Sequence, residues 1–321
     1  MTEPLLRAVQ LSKVYTLRGG ILKTGGHEVH AVTDVSFDIR RGEVFGLVGE
    51  SGCGKSTLTK LILRHEEPSS GEVFFDGRNI RRLKGKDLLA FRKKAQIVYQ
   101  DPYSALDPRQ RIGDILEEPL VIHGMGNRQE RAERTSWLLQ VVGLRPEHAL
   151  RYPHEFSGGQ RQRIVIARAL ALNPELLVAD EPVSALDVSI QAQIINLLKQ
   201  LQSEFHLTYV FVSHDLGVIE HVADRVAVMY LGRFVELASK DELFDHPLHP
   251  YTEALLSAAP EPDPSAARRR ILLEGDVPSP IRPPAGCPFH PRCPVRQPIC
   301  STTPPAYREI IPGRWVACHL K

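Results

Sequence analysis

The chain has 321 residues, 40 Lys and Arg against 38 Asp and Glu, a formal charge of +2 and 42% hydrophobic residues. That composition excludes a disordered or fibrous chain, and the length supplies a core without help from disulfides or metal. The near balance of charge argues against a dedicated nucleic-acid binder, which carries a strong basic excess. Residues 1–10 lack the charged, apolar and small-residue parts of a secretory signal. No run approaches the ~18 apolar residues that would span a bilayer.

Short β-branched runs at 44–48, 96–99, 176–179, 209–212 and 226–229 predict buried strands. Because these runs are continuously apolar rather than alternating, they suit a sheet covered on both faces. Helical spacing over 55–63, 128–142, 160–172 and 189–205 falls between them, so the expected class is α/β. Residues 101–160 predict helices without strong strands, an inserted helical subdomain. Near residue 245 the texture changes: 16 of the 25 prolines lie in residues 241–321, which disfavours long regular elements there. Four of the five cysteines, Cys287, Cys293, Cys300 and Cys318, share that tail with Trp315. The expected division is therefore a domain over 1–245 and a small extension over 246–321.

Residues Gly49-Glu50-Ser51-Gly52-Cys53-Gly54-Lys55-Ser56 follow the first buried strand and open a helix, whose next residue is Thr57. Two glycine-flanked turns at that place let backbone N–H groups face phosphate oxygens, with the helix N-terminus adding its positive end. Lys55 is expected at the β and γ phosphates and the Ser56 hydroxyl on Mg²⁺. A second signature, 176–181, is an apolar strand ending in Asp180 and Glu181. Asp180 suits a role in holding Mg²⁺, and Glu181 one in polarising the attacking water.

The stretch Phe156-Ser157-Gly158-Gly159-Gln160, just before a helix, decides among phosphate-loop families. With it, the chain resembles the nucleotide-binding subunit of an ATP-binding cassette (ABC) transporter, with Phe156 where leucine is usual. The resemblance covers about residues 5–245. It implies a P-loop NTPase cassette: a RecA-like core, an antiparallel β subdomain and the inserted helical subdomain. It also implies two cassettes packed head to tail, so that Ser157, Gly158, Gly159 and Gln160 serve ATP held on the partner's phosphate loop. By the same resemblance Gln100 touches Mg²⁺ or the lytic water, Asp187 crosses the dimer interface, His214 contacts the γ-phosphate and Tyr15 stacks on adenine. The segment 19–30, with its Gly-Gly pairs, resembles an insertion of peptide-importer subunits. Cys53 is assigned no chemistry beyond its backbone N–H.

The tail, with His249-Pro250-Tyr251-Thr252 before it, resembles the C-terminal extension of oligopeptide, dipeptide and nickel importer ATPases. Residues 100–109 are closer to the second of the two ATPases paired in one such transporter, which implies a heterodimer with a similar but distinct cassette. Two membrane permeases, an extracytoplasmic substrate-binding protein and a peripheral position on the cytoplasmic side of the membrane are implied with it. For the cysteines the spacing leaves alternatives open. Gaps of five, six and seventeen residues lack the close pair usual for structural zinc, and a cytosolic setting disfavours disulfides. Four thiolates with Cys-Pro steps suit an iron–sulfur cluster, a [4Fe-4S] in the family, with zinc or unliganded buried thiols as the alternatives. A soluble ABC ATPase acting on DNA or ribosomes is the rival, and it commonly brings a second cassette or a long basic or coiled-coil insert, neither of which is present here.

Overall fold

The computed structural model describes residues 3–17, 27–258 and 271–321. In chain order the elements begin with β1 (Leu6–Leu17), β2 (His27–Ile39), β3 (Val44–Val48), α1 (Lys55–Ile62), β4 (Ser70–Phe75) and β5 (Arg78–Asn79). Then follow α2 (Gly85–Lys94), β6 (Ala95–Val98), α3 (Pro102–Ala105), α4 (Ile112–Ile122), α5 (Arg128–Val141) and α6 (Gly158–Leu170). The remainder is β7 (Leu176–Asp180), α7 (Val188–Phe205), β8 (Thr208–Val212), α8 (Leu216–Val222), β9 (Arg225–Tyr230), β10 (Arg233–Ser239), α9 (Lys240–Asp245), α10 (Pro250–Ala258), β11 (Arg308–Ile311) and β12 (Arg314–Val316). They fall into two compact units: residues 1–81 with 213–321, and residues 82–212.

In the first unit, β1, β2, β4 and β5 form an antiparallel sheet in the order β2-β1-β4-β5. The sequence periodicity does not reveal it, because the β1–β2 register shifts between Ala8 and Leu11, between Leu11 and Lys13 and between Lys13 and Val14. Each bulge resets which side chain faces the core and erases the period of two. Elsewhere in the unit β3 runs parallel to β9, which is antiparallel to β10, and β10 pairs with β12 through Glu236↔Val316 and Leu237↔Trp315. Every residue of β3 and β9 is buried, which accounts for the apolar runs at 44–48 and 226–229. Gly46 has a steric reason for its place in β3, since a Cβ there would meet Ala223 Cβ and Ile219 Cγ2, each at 3.1 Å.

The extension is thus joined to the strands of this unit by β12. It is closed internally by the Cys287 N–H, which donates to Cys300 O at 2.8 Å. His249, buried at the start of α10, accepts from Tyr251 N at 3.1 Å and packs on Phe289. Burial holds its imidazole down, to about 3. The unfolded chain takes up that proton near the ordinary value and the folded one does not. The resulting stability is complete above the ordinary value and is lost as the pH falls from there toward 3. We expect acid unfolding between pH 6.5 and 5 to steepen by up to ~1.4 kcal/mol per pH unit through this one group. Chemical denaturation of the native chain and of His249→Gln at several pH values checks it: the variant's profile should be the flatter.

The second unit holds the parallel strands β8, β7 and β6, paired in that order. β6 ends at Val98, so Tyr99, 44% exposed, lies just beyond the strand expected to contain it. Residues 101–160 carry α3, α4 and α5 and no strand. Asn127 caps α5 in a capping box with Glu130, which stops the orphan N–H groups of the first turn from being left bare. α7 buries Ile194, Leu197, Leu198 and Leu201 at helical spacing, and it ends on His206 in the left-handed region.

Candidate nucleotide site

The loop between β3 and α1 turns on Gly49 (φ +152°), Gly52 (φ +78°) and Gly54 (φ +111°). At two of these a side chain is also excluded by backbone. A Cβ on Gly49 would stand 2.2 Å from Met229 O, and one on Gly54 2.2 Å from Ala31 O. Lys55 is buried, with Nζ donating to Gly49 O at 2.7 Å and to Glu50 O at 3.1 Å. The ammonium is therefore enclosed by the loop's own carbonyls at the start of α1. Cys53 is buried, and burial pushes its thiol up, away from the reactive thiolate. Its N–H donates to Glu50 O at 3.2 Å, inside the loop. Ser56 and Thr57 follow on the first turn of α1.

Tyr15, on β1, stands beside that turn. Its hydroxyl donates to Glu66 Oε2 at 2.5 Å, and the Lys13 ammonium lies 4.9 Å from its ring centre. Burial and the Glu66 hydrogen bond raise its phenol, while Thr57 works the other way. Of the segment 19–30, residues 27–30 open β2, and 19–26 lie outside the described residues. His214 is exposed, and the preceding Ser213 N–H donates to Leu47 O at 3.2 Å, close along β3 to the phosphate loop. Asp215 then caps α8 by accepting from Gly217 N at 2.9 Å and Val218 N at 3.4 Å.

In the second unit β7 delivers Asp180 at its end, and Glu181 follows with φ +49°, a conformation unusual for a residue with a long side chain. The turn is held by the Glu181 N–H on Val212 O at 3.0 Å and by Ser184 Oγ donating to Glu181 O at 3.1 Å. Gln100 Nε2 donates to Glu181 Oε2 at 3.0 Å, so two expected catalytic residues, 81 positions apart, meet directly. Strain of this kind collects where a side chain must be aimed.

Ser157 is the N-cap of α6 and forms a capping box with Gln160: its Oγ accepts from Gln160 N at 3.4 Å, and Gln160 Oε1 accepts from Ser157 N at 3.1 Å. Phe156, the departure from leucine, is buried with its ring 5.3 Å edge-on to His148. Gly158 and Gly159 form the first turn of α6, and a Cβ on Gly159 would lie 2.5 Å from Ile190 Cγ2 of α7. Gly159→Ala is therefore expected to destabilise the fold by about 1–3 kcal/mol through overpacking, with much of that recovered when Ile190→Ala is added; thermal melting of both variants measures it. Asp187, the N-cap of α7, makes no capping hydrogen bond and is exposed with Val188 beside it.

Periodicity and motif reading miss two residues that touch the phosphate loop. Arg292 donates to Glu50 twice, Nη1 to Oε2 at 2.8 Å and Nη2 to Oε1 at 3.1 Å. The Tyr251 hydroxyl accepts from the Glu50 N–H at 3.0 Å. Tyr251 is visible in the sequence only as part of the tail's resemblance, and no local signal marks Arg292.

The four tail cysteines do not meet the expectation of a formed metal cradle. Among the described residues no group of three or more His, Cys, Asp or Glu is arranged to hold a metal ion. All of Cys287, Cys293, Cys300 and Cys318 are free thiols. Burial pushes Cys287 up to about 11, with Cys300, Cys293 and Cys318 adding to the effect, so the four lie within electrostatic reach of one another. Cys293 and Cys318 are raised as well, again chiefly by burial.

Comparison with known proteins bears on these features. A family described as ABC transporter matches residues 32–184, and one described as oligopeptide/dipeptide transporter, C-terminal region, matches residues 235–300. The oligopeptide transport ATP-binding protein AppF of Bacillus subtilis (strain 168) is 52% identical over 321 residues, spanning 99% of this chain and 98% of that protein. The chain belongs to the ABC transporter family. Its fold agrees with solved structures of the family. A dimeric post-hydrolysis state of the ATP-binding cassette MJ0796 bound to ADP and Pi superposes with a TM-score of 0.64 at 31% identity, over 73% of this chain and 98% of that one. The cbiO1 protein of Clostridium perfringens, part of the ABC transporter complex cbiONQ, gives 0.64 at 28% identity over 76% of this chain and 92% of that one. The α/β cassette expected of an ABC transporter ATPase is thus the fold of this chain.

Proposed function

We propose that this ABC transporter chain is the ATP-binding and ATP-hydrolysing subunit that energises import of peptides. The observation that carries the reading is the phosphate loop, where positive-φ glycines and the enclosed Lys55 ammonium form an anion cradle at the start of α1. Its chemistry is positioning and charge neutralisation rather than covalent catalysis. Lys55 and the amides of residues 49–57 take the β and γ phosphates, and Tyr15 takes the adenine. Ser56, Gln100 and Asp180 offer the hard oxygen donors that suit Mg²⁺ and would hold it; bound there, the ion supplies further neutralisation of the phosphates. Glu181 orients and deprotonates the attacking water, with Gln100 fixing one carboxylate oxygen, and His214 contacts the γ-phosphate. Ser157, Gly158, Gly159, Gln160 and Asp187 act on nucleotide held by a facing cassette. Each closed site then needs two chains, so ATP favours the closed pair and hydrolysis releases it.

The facing cassette in this proposal is a similar but distinct ATPase, docked with this one on two membrane permeases and fed by an extracytoplasmic substrate-binding protein. The chain would lie peripherally on the cytoplasmic side of the membrane, with residues 1–245 as the cassette and 246–321 as the extension. No helix among the described residues is long and apolar enough to cross a membrane. Capture of the chain from gently solubilised native membranes tests this. Recovery of two multi-span proteins and a second cassette is the expected result; ribosomes or DNA-repair proteins from the soluble fraction would overturn the transport role.

We also propose that Cys287, Cys293, Cys300 and Cys318 take up a [4Fe-4S] cluster, with zinc as the alternative. Four soft donors gathered in one small extension support it, although the thiols as placed form no ready metal site. Anaerobic purification should give a coloured protein containing iron and sulfide; a colourless, zinc-loaded protein sinks the cluster, and a metal-free one sinks both.

A further inference from the structure

Glu50 is the residue through which the extension reaches the phosphate loop, and all of its polar groups are engaged. Its N–H donates to the Tyr251 hydroxyl, its carbonyl accepts from Lys55 Nζ and from Cys53 N, and both carboxylate oxygens accept from Arg292. Gly49, the preceding residue, turns the loop at φ +152°, a conformation that glycine adopts without strain. Arg292 itself is nearly buried, its side chain 8% exposed against 28% for Glu50. It lies on a short turn anchored by Phe289, whose ring meets Tyr230 at 5.3 Å and Tyr251 at 5.4 Å. A two-pronged guanidinium–carboxylate pair on so rigid a base fixes geometry as well as charge.

We infer that Arg292 is a positioning residue for nucleotide binding: it neutralises the Glu50 carboxylate and holds it in place, so that the loop accepts a polyphosphate. Left alone, that carboxylate is a negative charge within the very loop that must receive the phosphate chain, and like charges at such range oppose binding. The extension, 242 positions away in sequence, is by this device part of the nucleotide site. The inference rests on the nucleotide-binding reading above, and it assigns the extension a task independent of any metal.

The test is titration of the full-length chain with MgATP, displacing a fluorescent nucleotide, with thermal melting of each variant recorded in parallel. Arg292→Ala should weaken binding about tenfold or more, and Arg292→Lys, which keeps the charge but not the fork, about threefold. Adding Glu50→Gln to Arg292→Ala should restore affinity to within about threefold of native, because the uncompensated charge is gone. A merely structural role would lower the melting temperature without that rescue. Native affinity in Arg292→Ala, or a loss that Glu50→Gln leaves unchanged, overturns the inference alone. No MgATP binding by the native chain would overturn the nucleotide reading and the inference together. Should Arg292→Ala fail to fold, Arg292→Lys with and without Glu50→Gln decides the matter in its place: rescue supports the inference, and native affinity in Arg292→Lys overturns it.

Discussion

Glu181→Gln is expected to reduce ATP turnover by about 10²–10⁴-fold, the usual contribution of a positioned general base, while leaving nucleotide binding near native. The substitution is nearly isosteric, and the new amide oxygen can still accept from Gln100 Nε2 at the 3.0 Å seen for the carboxylate. The backbone at φ +49° is no worse for Gln than for Glu, and the Val212 and Ser184 hydrogen bonds involve only main-chain atoms of residue 181. What disappears is the ability to take a proton from water. If binding of ATP closes the cassettes and hydrolysis opens them, the variant mixed with the second cassette should accumulate as a closed pair with ATP retained. Steady-state phosphate release together with size-exclusion chromatography in MgATP reads both effects. Turnover at the native rate would show that Glu181 is not the base.

Gly54→Ala is expected to abolish useful nucleotide affinity, with a loss of at least about tenfold, from the smallest side chain that can be added. A φ of +111° lies outside the regions open to L-residues and is strained by about 1–3 kcal/mol on its own account. Space is lacking as well: the new Cβ would stand 2.2 Å from Ala31 O and 2.9 Å from Met229 Cε. The methionine methyl can swing aside, whereas the carbonyl belongs to the backbone of β2, between His30 and Val32, which pair with Val14 and Lys13 of β1. Relief therefore has to come from the loop, whose turn would open and whose N–H groups would leave the phosphate direction. Gly52→Ala makes a sharp control, since nothing lies within 4 Å of a Cβ there and only the φ of +78° opposes it. MgATP titration should rank native above Gly52→Ala, and Gly52→Ala above Gly54→Ala; equal affinity in all three would mean that the loop does not bind phosphate in this conformation.

The residues of these two sites are legible from sequence, whereas one contact between them is not. The glycines announce themselves because positive φ is a local demand, met within a few residues and independent of what packs around them. Asp180 and Glu181 are legible for a similar reason: two acids directly after the apolar run 176–179 must emerge at the C-terminal end of the strand. The Gln100–Glu181 hydrogen bond is different in kind, since Gln100 alone is an ordinary polar residue after a strand and acquires its role only when β6 pairs with β7. The antiparallel sheet of β1, β2, β4 and β5 is legible only through the family resemblance, its alternation broken by bulges.

By itself the sequence determined the alternation of strands and helices, the phosphate loop, the stretch 156–160 placed just before a helix and the concentration of thiols in a proline-rich tail. All of these depend on short-range sterics or on hydrophobic period. Only the tertiary structure decided that Gly159 must be small because of Ile190, that the tail joins the strands through β12, and that Arg292 grips Glu50. It also decided that the four thiols, although gathered, do not form a ready metal site. Each of these depends on distances between residues far apart in the chain, and such distances come into being only when the packed core has chosen its neighbours.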